Sequence, residues 1–350
     1  MQIVKAIDLF CGCGGLTEGL KNAGYEVVGA VDNEPIAVKT YRTNHPNVYV
    51  WEQDIKDLTA STIFRKTGLR EGELDLLAGC PPCQGFSSLT TLNNTIEADK
   101  HGKRKNELLF QFLRLVRALR PKAIMLENVP GLYKDNRLTR FLKDLGKLGY
   151  HCEFKKVVRV LNVSAYGVPQ RRRRLILMTT LRGPVDFAKP LKVKATVRET
   201  IEMLPPAGQS GDALHDFPDR RTPAMMARIQ ATPLDGGSRG HIPLEHQPQC
   251  HQAQKGFSDV YGRMKWDDVS PTMTSGCNNP SKGRFLHPGE HRAITLREAA
   301  LFQSFPANYQ FCLDRGKGAV ALMIGNALPP VFIEAHAVQI SDALRRYHLA

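Results

Sequence analysis

The 350-residue sequence has no long apolar run and comparatively few acidic residues. No run approaches the roughly 18 apolar residues of a membrane span, and residues 1–5 lack the basic start of a secretory signal. We therefore expect neither a membrane anchor nor export. Asp and Glu total 34 against 48 Lys and Arg, which gives a net charge of +14. This excess of base favours nucleic acid as the partner, ahead of an anionic membrane surface and ahead of a charge that only improves solubility.

A patterned set of cysteines is also missing. The eight cysteines are spread along the chain without the spacing of a small disulfide-bonded scaffold. We therefore expect reduced thiols in a cytoplasmic protein. Hydrophobic residues make up 42% and charged residues 23%, which is typical of a folded soluble protein and argues against disorder.

Short apolar strands alternate with helical patterns in the first half of the chain. Strands are predicted at 3–10, 27–31, 74–78 and 123–126, and helical spacing of apolar residues occurs at 16–23 and 108–119. This order predicts an α/β fold with a parallel sheet covered by helices on both faces. Ligands bind such sheets at the carboxyl ends of the strands. The polar residues at or just beyond those ends are Asp8, Asp32, Cys83 and Glu127.

The composition of the chain changes near Leu181. Residues 184–288 are rich in Pro, Gly, His and Gln with little periodicity, which predicts a smaller, loop-rich second domain. An amphipathic helix at 331–349 is predicted to close the chain. We therefore assign residues 1–181 to a first domain, 182–290 to a second domain, and 291–350 to a return to the first.

The segment Asp8–Gly15 predicts a nucleotide-type site. Glycines after a strand let the backbone approach a ligand, and Asp32 at the end of the second strand could bind ribose hydroxyls. A dinucleotide oxidoreductase and a purely structural turn are the alternatives. Thr17 occupies the place of the third glycine in the dinucleotide pattern, which argues against NAD.

Cys80 and Cys83 form a Cys-x-x-Cys pair, so redox and metal roles have to be weighed. A zinc site usually needs a second such pair, which the sequence lacks, and we expect no metal. A single nucleophilic cysteine fits better. Two buried structural thiols would be the other explanation, but the adjacent polar residues Gln84 and Ser87 argue against it.

An acid and a run of four arginines complete the candidate site. Glu127 follows a predicted strand, and Gln170–Arg174 leads into the apolar run 175–178. Alternation along a strand sends Arg172 and Arg174 to one side and Arg171 and Arg173 to the other. One pair is therefore expected to face the site and the other to meet DNA or solvent.

Taken together, these segments resemble the DNA (cytosine-5) methyltransferase family of the bacterial, single-chain type. The resemblance rests on ordered blocks at Asp8–Gly15, Pro82-Cys83-Gln84, Glu127-Asn128-Val129, Gln170–Arg174, 297–306 and Gly325-Asn326-Ala327. It implies a Rossmann-like, S-adenosylmethionine-dependent fold with a mixed sheet. It also implies that the loop-rich domain is a target-recognition domain.

The resemblance also implies roles for the site residues. Cys83 would attack carbon 6 of the target cytosine, and Glu127 would contact ring nitrogen 3 and the amino group. Arg172 would brace the base and the nucleophile, with Arg174 in support. The residues implied for S-adenosylmethionine are Phe10, Gly12, Gly14, Gly15, Leu16, Asp32, Asn33, Asp54, Ile55, Pro82, Leu108, Asn326 and Ala327. Glu34 is a rival to Asp32 for the ribose, and Leu108 could instead be plain helix core.

The family acts on a base flipped out of double-stranded DNA. Residues 87–105 would form a closing loop whose cations meet phosphates. The predicted DNA contacts are Gln84, Ser87, Arg104, Lys105, Arg171, Arg173 and Arg239. Further candidates for reading bases in the loop-rich domain are Arg220, Arg221 and His241.

Three other functions are compatible with parts of the sequence. A tRNA cytosine methyltransferase shares the catalytic blocks, but its typical Pro-Phe-Thr and Cys-Phe-Thr signatures are absent here. A non-catalytic DNA-binding repressor would need neither Cys83 nor Glu127, and a dinucleotide oxidoreductase is more distant. The resemblance predicts a monomeric, cytoplasmic, nucleoid-associated enzyme. It would be either the modification partner of a restriction endonuclease or an orphan methylase.

Overall fold

The computed structural model describes residues 4–82, 107–248 and 259–348. These residues include a seven-stranded sheet. The strands are β1 (Val4–Leu9), β2 (Tyr25–Asp32), β3 (Tyr49–Glu52), β4 (Leu76–Gly79), β5 (Ala123–Asn128), β6 (Val158–Asn162) and β7 (Arg173–Thr180). Their order across the sheet is β3-β2-β1-β4-β5-β7-β6.

The sheet is mixed. Strands β1 to β5 run parallel to one another, whereas β7 runs antiparallel to both β5 and β6. The carboxyl ends of the five parallel strands therefore share one edge, and the start of β7 lies beside the end of β5. This arrangement confirms the predicted α/β fold with a mixed sheet.

The described residues also contain eleven α-helices. They are α1 (Gly15–Asn22), α2 (Pro35–Asn44), α3 (Ala60–Thr67), α4 (Leu108–Leu119), α5 (Asn136–Lys147), α6 (Phe154–Val157), α7 (Val197–Ile201), α8 (Pro223–Ala231), α9 (Leu296–Phe302), α10 (Gly316–Asn326) and α11 (Pro330–His348). Helix α11 corresponds to the helix predicted at 331–349.

The helices α4 and α5 show how the sequence forms the core. Each buries an apolar stripe at helical spacing, with Phe112 on α4 and Phe141 on α5. The two rings lie 6.2 Å apart between centroids. Helix α5 begins where the Asp135 side chain accepts a hydrogen bond from the Arg137 N–H at 2.8 Å. Helix α4 ends at Arg120, which adopts a left-handed conformation directly before Pro121.

The chain divides into two compact units. The first comprises Met1–Tyr166, Arg173–Pro190 and Leu328–Ala350, and the second comprises Gly167–Arg172 and Leu191–Ala327. The first unit holds the whole sheet. These units differ from the boundaries inferred from composition, because α9 and α10 belong to the second unit rather than to a return to the first. The assignment of residues 182–290 to a target-recognition domain stays a prediction.

The first unit is completed by its most C-terminal helix. Helix α11 packs against α1, where Gly19 permits close approach. A Cβ at Gly19 would lie 2.4 Å from the Pro330 carbonyl oxygen. The Tyr25 hydroxyl donates a 3.0 Å hydrogen bond to the Ala337 carbonyl. These contacts join segments of the unit that are more than 300 residues apart in the chain.

One stretch, Gly316–Arg346, is long and apolar enough to cross a membrane by length and composition alone. It is not one helix, because α10 ends at Asn326 and α11 begins at Pro330. More than half of its apolar window is buried inside the protein. The buried core helices of soluble proteins meet the same length and composition criteria, so the stretch is weak evidence for a membrane span.

The second unit is organised around a fully buried arginine, Arg263. Its guanidinium donates to the backbone carbonyls of Ile229, Thr232, Pro233, His287 and Glu290. It therefore joins the end of α8 to the segment before α9. Burial lowers the pKa of Arg263 to about 10.

Candidate active site

Backbone conformations that favour glycine shape the turn after β1. Phe10, Gly12 and Gly14 all have positive φ, at 63°, 52° and 100°. The Gly12 N–H donates to Asp32 Oδ2 at 2.8 Å. A Cβ added at Gly12 would meet no atom within 4 Å, so the turn leaves open space beside this carboxylate. Residues 15–16 form the first turn of α1 and are buried.

Asp32 also connects this turn to α2. Its Oδ1 accepts a 2.9 Å hydrogen bond from the Glu34 N–H. Burial raises the pKa of Asp32 above that of an ordinary carboxyl, while backbone hydrogen bonds from Glu34, Gly12 and Asn33 oppose the rise. Glu34 and Asn33 are exposed. Asp32 is thus the carboxylate that is tied to the glycine turn, and its contact with a ribose stays a prediction.

The turn after β3 is supported by an arginine that the sequence analysis missed. Asp54 Oδ1 accepts a 2.9 Å hydrogen bond from the Lys56 N–H, and Ile55 is buried in the core. Arg114 of α4 donates from Nη2 to the carbonyls of Ile55 and Leu58, at 2.7 and 3.0 Å. Helix α4 therefore fixes the position of the predicted adenine contact.

The remaining predicted cofactor contacts lie in both units. Leu108 begins α4 and is partly buried against the core, and Pro82 is exposed. Asn326 and Ala327 lie at the end of α10 in the second unit. At Gly325 a Cβ would lie 2.3 Å from backbone, so only glycine fits there without movement.

Asp8 is a fully buried carboxyl at the end of β1. Its Oδ2 accepts a 2.7 Å hydrogen bond from the Thr17 hydroxyl, which leaves the Tyr41 hydroxyl, also 2.7 Å away, to donate to Thr17. Its Oδ1 has no hydrogen-bond partner among the described residues. Burial raises the pKa of Asp8 to about 8. Oδ1 of Asp8 is therefore open to a bound molecule, as a hydrogen-bond acceptor when the carboxyl is ionised and as a donor when it is protonated.

Glu127, at the end of β5, contacts two side chains. Its Oε1 lies 2.8 Å from Arg174 Nε, and its Oε2 accepts a 2.8 Å hydrogen bond from the Cys80 thiol. The side chain is only 2% exposed. Because β7 runs antiparallel to β5, Glu127 pairs with Ile176, and Arg174 near the start of β7 reaches it. The structure thus brings together two of the four predicted catalytic residues.

Asn128 fixes the segment that leads towards Cys83. Its Nδ2 donates a 3.0 Å hydrogen bond to the Pro81 carbonyl, and its Oδ1 accepts one from the Val129 N–H at 2.9 Å. In the sheet, Gly79 at the end of β4 is paired with Leu126 of β5. The backbone after β4 is therefore held beside the end of β5.

The arginine run alternates as predicted. Arg172 is buried and Arg174 largely so, whereas Arg171 and Arg173 are exposed. Arg172 belongs to the second unit, where it donates to the carbonyls of Met273, Gly325 and Ala327 at 2.8 to 3.2 Å. Arg172 therefore supports the Gly-Asn-Ala block, and its predicted contact with a base stays a prediction.

The candidates for reading bases differ in exposure. The Arg221 side chain is 10% exposed, pairs with Asp219 at 2.6 Å and lines a cavity of about 220 Å³. Its burial does not fit a base-reading role. Arg239 is partly buried and begins a 3₁₀ turn, while Arg220 and His241 are exposed.

Several predicted residues lie outside the described part of the chain. They are Cys83, Gln84, Ser87, Arg104 and Lys105, whose roles stay predictions. Within residues 4–82, 107–248 and 259–348, no group of three or more His, Cys, Asp or Glu side chains is arranged to hold a metal ion.

Comparison with known proteins identifies the family. The family model "C-5 cytosine-specific DNA methylase" matches residues 4–342. The chain is 35% identical to the Type II methylase M.HgiDII of Herpetosiphon aurantiacus, over 99% of this chain and 98% of the relative. It is 30% identical to the Type II methyltransferase M.XorII of Xanthomonas oryzae pv. oryzae, over 97% and 85% of the two chains.

A solved structure shares the fold. It is an E. coli protein described as a DNA modification methyltransferase encoded within a prophage. Its TM-score to this chain is 0.66 at 24% identity, and the similarity covers 98% of this chain and 99% of that one. With the family model spanning nearly the whole sequence, the chain belongs to the C-5 cytosine-specific DNA methylase family and is a DNA (cytosine-5-)-methyltransferase.

Proposed function

We propose that this enzyme transfers the methyl group of S-adenosylmethionine to carbon 5 of a cytosine flipped out of a specific double-stranded DNA sequence. The observation that supports this best is the buried Glu127–Arg174 pair at the carboxyl edge of the sheet. It lies beside the Pro81–Asn128 hydrogen bond, which holds the segment that precedes Cys83.

Covalent catalysis explains why a cysteine and an acid are needed. Carbon 5 of cytosine is a poor nucleophile, but addition of the Cys83 thiolate at carbon 6 makes it enamine-like. As the thiolate adds, negative charge develops at nitrogen 3, and Glu127 holds or supplies the proton that neutralises it while accepting a hydrogen bond from the amino group. Arg174 keeps the Glu127 carboxyl in position. After methyl transfer, loss of the carbon 5 proton and elimination of Cys83 release 5-methylcytosine and restore the thiol.

The first unit offers suitable groups for the methyl donor. S-adenosylmethionine supplies an electrophilic methyl group on a sulfonium and leaves as S-adenosylhomocysteine. The free Oδ1 of Asp8 suits a cationic donor group, and the open space at Gly12 lies beside the Asp32 carboxylate. Asp54 and Ile55 offer a carboxylate and an apolar face for adenine. We assign the other cofactor contacts named above by the same family resemblance, and no metal.

DNA binding is expected to depend on phosphate contacts. The net charge of +14 and the exposed Arg171 and Arg173 support an electrostatic interaction with the backbone. Such contacts give affinity and salt dependence, whereas sequence choice needs contacts with base edges. We assign base reading to the loop-rich segment, where Arg239 belongs to the predicted contact set and Arg220 and His241 are further candidates.

The proposed biological role rests on the names of the relatives. Two of the most similar relatives are Type II enzymes, and we propose that this protein either protects DNA against a cognate restriction endonuclease or acts as an orphan methylase. We expect it to act as a monomer in the cytoplasm, associated with the nucleoid, because modification of one cytosine needs one active site.

Bisulfite sequencing of a methylation-free bacterial host that expresses the enzyme tests the proposal. Protection of cytosines in one sequence context, with no protection in Cys83→Ala, would support both the activity on DNA and the role of Cys83 as the nucleophile. The absence of protected cytosines despite folded protein would refute DNA methylation in that host. The same assay on host tRNA would then test the RNA alternative.

A further inference from the structure

The residue that faces Glu127 across the sheet is Cys80, three positions before the proposed nucleophile. Parallel pairing of β4 and β5 ends at Gly79 and Leu126. One step further along both strands, Cys80 and Glu127 face each other, and the thiol donates to Glu127 Oε2 at 2.8 Å. This contact therefore follows from the register of the central strands and not from a chance rotamer.

The Glu127 carboxyl is engaged at both oxygens. Arg174 lies 2.8 Å from Oε1 and Cys80 bonds to Oε2. The carboxyl is almost entirely shielded from water, where hydrogen-bond donors that face an ionised group have their largest effect. Both neighbours therefore stabilise the ionised form of Glu127 and fix its plane.

The two neighbours interact differently with the carboxyl. Arg174 is always charged and attracts Oε1 as an ion-pair partner, whereas the Cys80 thiol is a weak, neutral hydrogen-bond donor to Oε2. A cytosine that presents its amino group to Glu127 must take over part of the carboxyl's hydrogen bonding. The thiol is the partner that is more easily displaced, so the carboxyl can keep its orientation through Arg174 while Oε2 becomes available to the base.

We propose that Cys80 is a positioning residue that holds the Glu127 carboxyl correctly oriented until the target cytosine displaces its thiol. The inference rests on the catalytic role of Glu127 given under the proposed function. It assigns Cys80 a role distinct from that of Cys83, and it explains the Cys-x-x-Cys spacing without a metal or a disulfide.

Single-turnover methylation rates measured against pH test the proposal, with Cys80→Ala and the matched variant Cys80→Ser. Cys80→Ala removes a donor from the carboxylate, so the limb of the pH profile that reports Glu127 should move to higher pH by about half a unit. The rate near neutral pH should fall several-fold, with unchanged affinity for the methyl donor. Cys80→Ser retains a donor that is stronger than a thiol, so its limb should lie at or below the wild-type pH.

An unshifted profile in Cys80→Ala, or a shift to higher pH in Cys80→Ser, would overturn the role. Glu127→Gln identifies the relevant limb, because its residual rate should lack it. If the wild type fails to methylate DNA, the proposed function and this inference fall together. If the wild type is active but Cys80→Ala has an unchanged profile, only the inference falls.

Thiol alkylation gives a second readout that does not need activity. In a Cys83→Ala background, the Cys80-containing peptide is followed by mass spectrometry during iodoacetamide treatment at neutral pH. A neighbouring carboxylate disfavours the thiolate, so adding Glu127→Gln should speed Cys80 alkylation several-fold. Equal rates in the two proteins would show that Cys80 and Glu127 do not interact, and would overturn the proposal even if Cys80→Ala fails to fold.

Discussion

Replacing Arg263 should destabilise the second unit severely, because this buried side chain serves five backbone carbonyls. The acceptors belong to Ile229, Thr232, Pro233, His287 and Glu290. Arg263→Ala leaves all five without this donor in a region closed to solvent. At about 1 kcal/mol of net stability for each hydrogen bond, the loss is about 5 kcal/mol. Removing the guanidinium also removes the cost of burying its charge, which reduces the expected loss of stability to about 4 kcal/mol. This value lies within the range for broken buried networks.

The conservative variant Arg263→Lys tests how the loss of stability depends on the number of donors. Arg263→Lys keeps the charge but has at most three N–H donors and no planar fork. It should therefore lose about 2 kcal/mol. Arg171→Ala, which removes an ion pair exposed on both sides, should lose less than about 1 kcal/mol in the same unit.

The two tryptophans allow each unit to be followed separately. Trp51 lies in the first unit and Trp266 in the second, so Trp51→Phe leaves a single reporter of the second unit. With a slope of about 2 kcal/mol/M in urea, Arg263→Ala should lower the midpoint by about 2 M. A decrease below about 0.5 M, with an unchanged slope, would refute the reasoning.

Two further predictions concern the first unit, followed through Trp51 in a Trp266→Phe background. Gly19→Ala should destabilise it by about 1–3 kcal/mol, since the new Cβ would meet the Pro330 carbonyl at 2.4 Å. The matched change Gly146→Ala meets its nearest atom at 3.8 Å and should stabilise by about 0.5 kcal/mol; equal effects would contradict the packing argument. Burial lowers the pKa of His45 and of His336 to about 4. Because the unfolded imidazoles protonate near pH 6.5, their contribution is complete above that pH and is lost as the pH falls towards 4. Urea midpoints at pH 7.5 and 5 should differ less in His336→Gln than in the parent, and an equal difference would count against this assignment.

The sequence predicted the elements whose patterns are local. The apolar stripe of α4 and the buried runs of β2 and β5 could be recognised because their spacing alone distinguishes helix from strand. Strand β3 is only four residues long and alternates exposed and buried positions unevenly, so it was missed. Strand β6 is largely half-buried and carries Arg159 and Asn162, which hide its periodicity.

The site was predicted in part for the same reason. Glu127 and Arg174 stand at strand ends, and the order of motifs identified them. Arg114 and Arg263 could not be found, because an arginine that binds carbonyls far along the chain leaves no local pattern. Cys80 was noticed only as a possible redox or metal partner. Its contact with Glu127 depends on the pairing of β4 with β5, and sequence spacing does not specify this pairing.

The position of α11 has a consequence for synthesis on the ribosome. The sheet and α1 are made early, but the helix that covers α1 follows only after residues 191–327 of the second unit have been translated. At about 5–20 residues per second, this interval lasts on the order of ten seconds or more. During it, the apolar surface around Gly19 and Tyr25 has no cover from its own chain. The nascent enzyme should therefore depend on chaperones for longer than its size alone suggests, and a messenger that speeds translation of the second unit should improve the yield of soluble protein.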